Sequence, residues 1–214
     1  MYDFTCEGES ITDPKVVAEK FNEYFVNIGE TLSKSIAVES TQFTSYLRES
    51  YVNSFSLYLT DACEIRAIVD KFDNKSSFGV DNIPVSVMKS VIDVIAEPIS
   101  ALVNCSFSTG VVPDPLKIAK VCPVHKGGPT NTFTNFRPIS ILPSFSKIFE
   151  KAANNRLESY VKSQHILSDS QYGFRENHST FMALLDICDK VSKSFDRKEY
   201  CAGVFSTCRK RSIL

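Results

Sequence analysis

The segment HKGGPTNTFTNFRPISILPSFSKIFEK, residues 125–151, decides how the rest of the chain is read. It follows a β-branched run, IAKVCPVHK (118–126), turns through GGPTNTFT (127–134), resumes with FRPISIL (136–142), and then changes to a helical period. Two short apolar runs around a turn rich in Gly and Asn predict a β-hairpin. Pro123 and Pro138 cannot donate to a ladder, so they are expected at an edge or at the hairpin's irregular points. Pro138 also restricts Arg137 to extended backbone, which gives the guanidinium a fixed aim. Lys126, at the end of one strand, and Arg137, near the start of the next, are expected to project towards one point. Two fixed cations suit a polyphosphate or a nucleic-acid backbone. Gly127 and Gly128 would let backbone N–H groups approach an anion, although Gly-Gly-Pro is equally an ordinary turn, and no G-x-x-x-x-G-K-[ST] loop is present.

The charge distribution sets this region apart. Over 214 residues the formal net charge is -1, but residues 1–114 carry 17 acidic and 8 basic side chains, residues 115–162 carry 2 and 8, and residues 163–214 carry 6 and 8. A local basic stretch inside a near-neutral chain is what a phosphate-bearing partner selects. On charge alone, a solvated surface with lysines for solubility serves equally well. His125 lacks a Ser, Cys or carboxylate neighbour in sequence, and His165 and His178 show no metal-ligand spacing.

Composition bounds the class. With 43% hydrophobic residues the chain can bury a real core. Its seven cysteines are odd in number, scattered and never spaced C-x-x-C, which argues against a disulfide framework or zinc knuckle and for a reducing compartment. No basic n-region with an apolar h-region follows Met1, and no window approaches a membrane span, so no membrane association is expected. The expected localisation is intracellular, cytoplasmic or nuclear.

Helical signals surround the hairpin. DPKVVAEKFNEYFVNIGE (13–30) has Asp13 as N-cap, Pro14 at the first helical position, a stripe of Val17, Phe21, Tyr24 and Ile28, and Gly29 as an expected stop. Residues 33–58 read as a linker. In TDACEIRAIVDKF (60–72), Thr60 or Asp61 caps a helix whose stripe is Ile65, Ile68, Val69 and Phe72. Pro84 opens an apolar stretch from Val87 to Phe107 that Pro98 is expected to split in two, and Gly110 ends it. A helix follows Pro143, with Phe145, Ile148, Phe149, Ala152, Leu157, Tyr160 and Val161 facing a core. SDSQYGFRENHS (168–179) reads as a loop, STFMALLDICDKVSKSF (179–195) as a helix through Phe181, Leu184, Leu185, Cys188 and Val191, and YCAGVFS (200–206) as the start of a buried strand.

The series FGVDNIP (78–84), VVPDPLKIAKVCPVHKGG (111–128), NFRPISILPSFSKIFEKAANNRL (135–157), LSDSQYGFRENHST (167–180) and YCAGVF (200–205) resembles, in order and spacing, the amino-terminal half of the reverse transcriptase domain of non-LTR (LINE-type) retrotransposons. Single pieces are weak; RPIS-I-LP, then SKIFEK, then QYGFR in one chain is specific. The resemblance implies a helix-rich α+β fold, the fingers and partial palm of a right-hand polymerase, with a helical lead-in and linker over 1–59, a partial reverse transcriptase domain over 60–205 and an out-of-pattern end over 206–214. It places Lys126 and Arg137 where the fingers hairpin grips the nucleotide triphosphate. Gln171, Gly173, Phe174 and Arg175 match a second fingers motif near the template and the nucleotide pocket, with packing of Phe174 and bracing by Arg175 as the structural alternative. The implied partners are an RNA template or RNA/DNA hybrid and a dNTP.

One departure matters. In that family a V-F-x-D strand supplies an aspartate that, with a later carboxylate pair, holds two Mg²⁺ ions. Here Thr207 stands at the aspartate's place, followed by CRKRSIL (208–214). The expectation is a truncated reverse transcriptase that keeps its nucleotide- and RNA-binding fingers, lacks catalytic and metal-binding residues, binds no Mg²⁺ tightly, and self-associates through an incomplete palm. The alternative is a transposon-derived interaction or structural protein.

Overall fold

Asp13 and Pro14 begin the first long helix as their chemistry requires. In the computed structural model of the protein, which describes residues 4–6, 9–34, 54–74 and 78–206, a small antiparallel pair, β1 (Phe4–Cys6) and β2 (Glu9–Ile11), leads into α1 (Pro14–Lys34). The Asp13 carboxylate accepts from the Lys15 N–H at 3.0 Å, which satisfies one of the helix's orphan donors. Phe21 is buried and Val17, Tyr24 and Ile28 are half-buried along the expected stripe. Gly29 does not stop the helix. It lies outside the left-handed region, and Lys34–Glu30 at 2.7 Å with Thr31 donating back to Asn27 O at 2.9 Å carries the last turn past it. Most of the expected linker, residues 35–53, lies outside the described residues.

The core is built by three helices. Asp61 caps α2 (Ala62–Asp70), accepting from the Glu64 N–H at 2.7 Å. α2 packs against α3 (Val85–Thr109) and the first half of α4 (Ser146–Ser163), and Ile65, Met88, Val103, Ile148 and Ala152 are fully buried where they meet. Each large side chain of this set contributes about 1.5–3 kcal/mol through the water it sheds. Gly110 ends α3 at φ 71°, its N–H returning to Ser106 O at 2.9 Å.

Pro98 does not split α3, contrary to the sequence expectation. The ring is on the exposed side, so the Val94 carbonyl that loses its partner faces water. Ala96, Ile99 and Val103 hold the buried side of the helix across that point. α4 differs from expectation in phase. Counting by helical turns from Ile148 and Ala152, the next inward position is Arg156, and Leu157 is half exposed.

Between α3 and α4 lie a 3₁₀ turn at Asp114–Lys117 and the expected hairpin, β3 (Lys120–His125) with β4 (Phe136–Ile141). Three turns of the sequence are stitched together here by serine hydroxyls: Ser144 Oγ donates to Ile83 O at 2.8 Å and Ser146 Oγ to Leu116 O at 2.6 Å. Gly79 lies so close to the Leu142–Pro143 backbone that a Cβ would sit 2.6 Å from Pro143 N. An aromatic group joins the amino-terminal elements to the hairpin: Phe21 meets Phe133 and Phe136 edge-on at 4.7 and 5.0 Å, and Phe4 stacks on Phe133 at 5.1 Å.

The chain divides into two compact units, the first reaching to Arg156 and the second running from Leu157. The second holds the end of α4, the loop 164–179 and α5 (Thr180–Asp196), which Ser179 caps by accepting from the Met182 N–H at 3.3 Å. The expected core stripe of α5 is largely exposed, with Phe181, Leu184 and Leu185 at 65%, 55% and 52%. No strand forms at 200–206. Tyr200, Val204 and Phe205 are exposed, and among the described residues no strand runs beside them to complete a ladder. The architecture is helix-rich α+β, with two two-stranded antiparallel sheets among the described residues.

Candidate functional site

The hairpin register decides what its two cations can do together. Val124 pairs with Arg137 and His125 with Phe136, and the Lys126 N–H donates to Asn135 O at 2.8 Å, one step beyond the assigned ladder. Side chains of directly opposed residues share a face, and faces alternate along a strand. Lys126, Val124 and Arg137 therefore occupy one face, with Lys126 and Arg137 as diagonal neighbours. The register gives the two residues a shared face.

Proline placement supports this register. Lys126 and Asn135 form a hydrogen-bonded pair, so alternation makes Pro123 and Pro138, which oppose each other three steps away, a non-hydrogen-bonded pair. The N–H that each lacks would have pointed away from the ladder, and the hairpin loses nothing by it.

The turn is held by its own side chains. Gly127 and Gly128 have φ of 112° and 85°, the left-handed region that side chains avoid. The Asn135 amide donates to Pro129 O at 2.8 Å, and a Cβ on Gly128 would stand 3.0 Å from that amide. The His125 ring lies 3.0 Å from Gly128 O through Nε2 and against Phe136 at 5.2 Å. His125 is thereby a turn brace, and nothing in sequence signalled the part played by Asn135.

The electrostatics are one-sided. Residues 115–149 include Lys117, Lys120, Lys126, Arg137 and Lys147 and no Asp or Glu. Lys117 pairs with Asp114 at 2.9 Å and Lys120 lies over the Phe78 ring at 5.7 Å. Lys126 and Arg137 are exposed, and neither side chain has a hydrogen-bond or ion-pair partner among the described residues. Exposed Val124 and Ile139 lie between and beside them on the same face.

Gln171, Gly173, Phe174 and Arg175 belong to the second unit, in the loop before α5. Arg175 donates to Ser168 O at 3.1 Å and Gln171 Nε2 to Gly173 O at 3.3 Å, so both brace the loop. Phe174 has φ 57° and is fully exposed, which removes packing as its role. Glu176 adds an ion pair to Lys162 at 2.6 Å. Tyr172 leans on His178, with ring centroids 6.0 Å apart; partial burial, with the nearby Asp186 carboxylate, pushes its phenol upward. In turn Lys190, 2.7 Å away, holds Asp186 below the ordinary carboxylate range.

The most perturbed pair lies elsewhere. Arg156 is buried and binds both oxygens of Glu64, at 2.6 and 2.7 Å, while donating to Tyr58 O at 2.9 Å, Leu59 O at 3.1 Å and Ala152 O at 2.9 Å. Hydrogen bonds from Arg156, with others from Thr60 and Asn155, bring the Glu64 carboxyl down to about 2, against the opposing effect of burial. Arg156 also lies over the Tyr58 ring at 4.3 Å. This is a structural tie between α2, α4 and the residues leading into α2.

No protein-family profile matches the chain. Among curated proteins it is similar to a protein described as a probable RNA-directed DNA polymerase from transposon BS of Drosophila melanogaster, with 32% identity over 66% of this chain and 16% of the relative. It is 27% identical, over 88% of itself and 20% of the relative, to a probable RNA-directed DNA polymerase from transposon X-element of the same fly. It is also 27% identical, over 77% of itself and 18% of the relative, to the RNA-directed DNA polymerase from mobile element jockey. The chain thus spans a fifth or less of the length of these relatives. No described helix is long and apolar enough to cross a membrane.

Proposed function

Because the chain is a homologue of one part of the RNA-directed DNA polymerases of non-LTR transposons, we propose that it forms the fingers and the first part of the palm of a reverse transcriptase, over residues 60–205, and binds phosphate-bearing ligands through its β3–β4 hairpin. The ligands are a nucleoside triphosphate and the RNA backbone. One observation supports this reading: Lys126 and Arg137 share a face, have no hydrogen-bond or ion-pair partner among the described residues, and lie in a stretch, 115–149, without a single carboxylate. Gln171, Gly173, Phe174 and Arg175 are proposed as the template-side loop, with Phe174 as its exposed stacking surface.

Binding without nucleotidyl transfer is the proposed outcome. Two Mg²⁺ ions, where a polymerase of this kind holds them, stabilise the attacking and leaving oxygens. Thr207 occupies the position of the family's first aspartate, and a neutral hydroxyl is a poorer Mg²⁺ ligand than a carboxylate. Among the described residues no three His, Cys, Asp or Glu side chains come together in a way that would hold a metal ion. The residues in hand do not fit the two-metal arrangement. Primer extension on an RNA template with Mg²⁺ and all four dNTPs tests the claim; extension abolished by Arg137→Ala would overturn it.

The exposed stripe of α5 favours a second reading, in which this segment is an association surface. Phe181, Leu184 and Phe195 stand three and eleven residues apart on one side of the helix and are more than half exposed. Sedimentation of the chain across a concentration series tests for self-association.

A further inference from the structure

The residue that precedes each of these two cations is held from the other side of the hairpin. His125 precedes Lys126 and Phe136 precedes Arg137, and these two oppose each other in the ladder. By strand alternation their side chains leave the face opposite to the cations. That opposite face is where the amino-terminal elements attach. Phe21 of α1 meets Phe136 at 5.0 Å and Phe133 at 4.7 Å, and Phe4 of β1 meets Phe133 at 5.1 Å and Phe136 at 5.7 Å. Phe4 and Phe21 are 5% and 7% exposed, and Phe21 is the one buried side chain of α1.

We propose that Phe21 of α1, with Phe4 of β1, is a positioning residue that fixes the aspect of the cation-bearing face of the β3–β4 hairpin. The hairpin needs such a support. A two-stranded sheet is marginal by itself, and five of the six β3 residues are exposed. The clamp also reaches the 3₁₀ turn Phe133–Asn135, whose Asn135 accepts the Lys126 N–H and braces the glycine turn. Phe21 therefore acts on Arg137 through Phe136 and on Lys126 through Asn135, and it touches no ligand. The aromatic group is distinct from the α2–α3–α4 core, whose buried members include none of these rings. Loss of the clamp should loosen the hairpin and leave that core intact.

The ligand-binding half of this inference rests on the function proposed above, so two readouts are used. Hydrogen exchange on the unliganded full chain reads positioning alone. Phe21→Ala should speed exchange across residues 120–141, the Lys126 amide included, with no change across 62–70 or 85–109, and Phe21→Leu should restore most of the protection. Unchanged exchange in the hairpin, or equal loss in α2 and α3, overturns the proposal. Inorganic tripolyphosphate, titrated at low salt, reads the consequence. Phe21→Ala should weaken binding about five-fold while the melting temperature of the core holds, because a loosened support misplaces two cations that must meet one ligand. Binding that Arg137→Ala removes and Phe21→Ala leaves untouched defeats the positioning role; binding that Arg137→Ala does not change defeats the functional reading and leaves the exchange result to decide the clamp.

Discussion

Arg156 and Glu64, 92 residues apart in sequence, close a two-pronged ion pair at 2.6 and 2.7 Å with the arginine side chain wholly buried. A buried guanidinium without its carboxylate retains its desolvation cost and loses its counter-charge. Glu64→Gln should therefore destabilise the first unit by about 3 kcal/mol, and Arg156→Ala by a similar amount, since it also frees the Tyr58 and Leu59 carbonyls. Urea denaturation followed by circular dichroism measures both. A loss under about 1 kcal/mol would show the pair to be dispensable.

The same pair sets an acid limit. The Glu64 carboxyl is depressed to about 2 from 4.5, so its contribution is fully present above the unfolded value and is lost as pH falls from about 4.5 towards 2. Partial exposure of Glu64 reduces the effect to about 1–2 kcal/mol. Wild-type stability should decline through that window, and Glu64→Gln should flatten the decline.

Gly79 should not accept a side chain. Its Cβ would stand within 2.8 Å of the Leu142 carbonyl carbon and oxygen as well as 2.6 Å from Pro143 N, all backbone atoms that cannot swing away. Gly79→Ala is expected to cost about 2–3 kcal/mol, whereas Gly29→Ala, with open space around it and helical backbone, should stabilise α1 by roughly 0.5–1 kcal/mol. Thermal melts of the two variants check the contrast.

Self-association, if α5 carries it, should be sensitive to a single charge on the stripe. Leu184→Glu is expected to return the protein to monomer in sedimentation while helicity is unchanged, because Leu184 is half exposed in the single chain. A wild type that stays monomeric at high concentration would remove this reading.

Much of the fold was legible because it is local. The stripe through Val17, Phe21 and Tyr24, the cap at Asp61 and the glycine stop at Gly110 are each written within a few residues. The hairpin was legible too, and the two prolines that seemed to threaten it occupy the one kind of ladder position that tolerates them. Pro98 was misread because the rule that proline breaks helices assumes that the freed carbonyl is stranded, and here Pro98 and Val94 both lie on the exposed side of α3. The strand expected at 200–206 was misread for the opposite reason: a strand needs a neighbour, which no local pattern can supply. Arg156 shows the limit most plainly. Within SKIFEKAANNRL it looks like a surface cation, and only the fold brings Glu64 and two carbonyls around it. The shared face of Lys126 and Arg137 follows from strand alternation once the hairpin is read. The aromatic support behind them was not, because Phe4 and Phe21 lie more than 100 residues away in sequence.

The most direct measurement is a titration of the chain with dTTP at two sodium chloride concentrations, beside the Lys126→Ala/Arg137→Ala double variant. The account predicts binding that weakens as salt rises and falls at least about tenfold in the double variant, whose melting temperature stays that of the wild type. Equal affinity in the two proteins, or binding indifferent to salt, would contradict it.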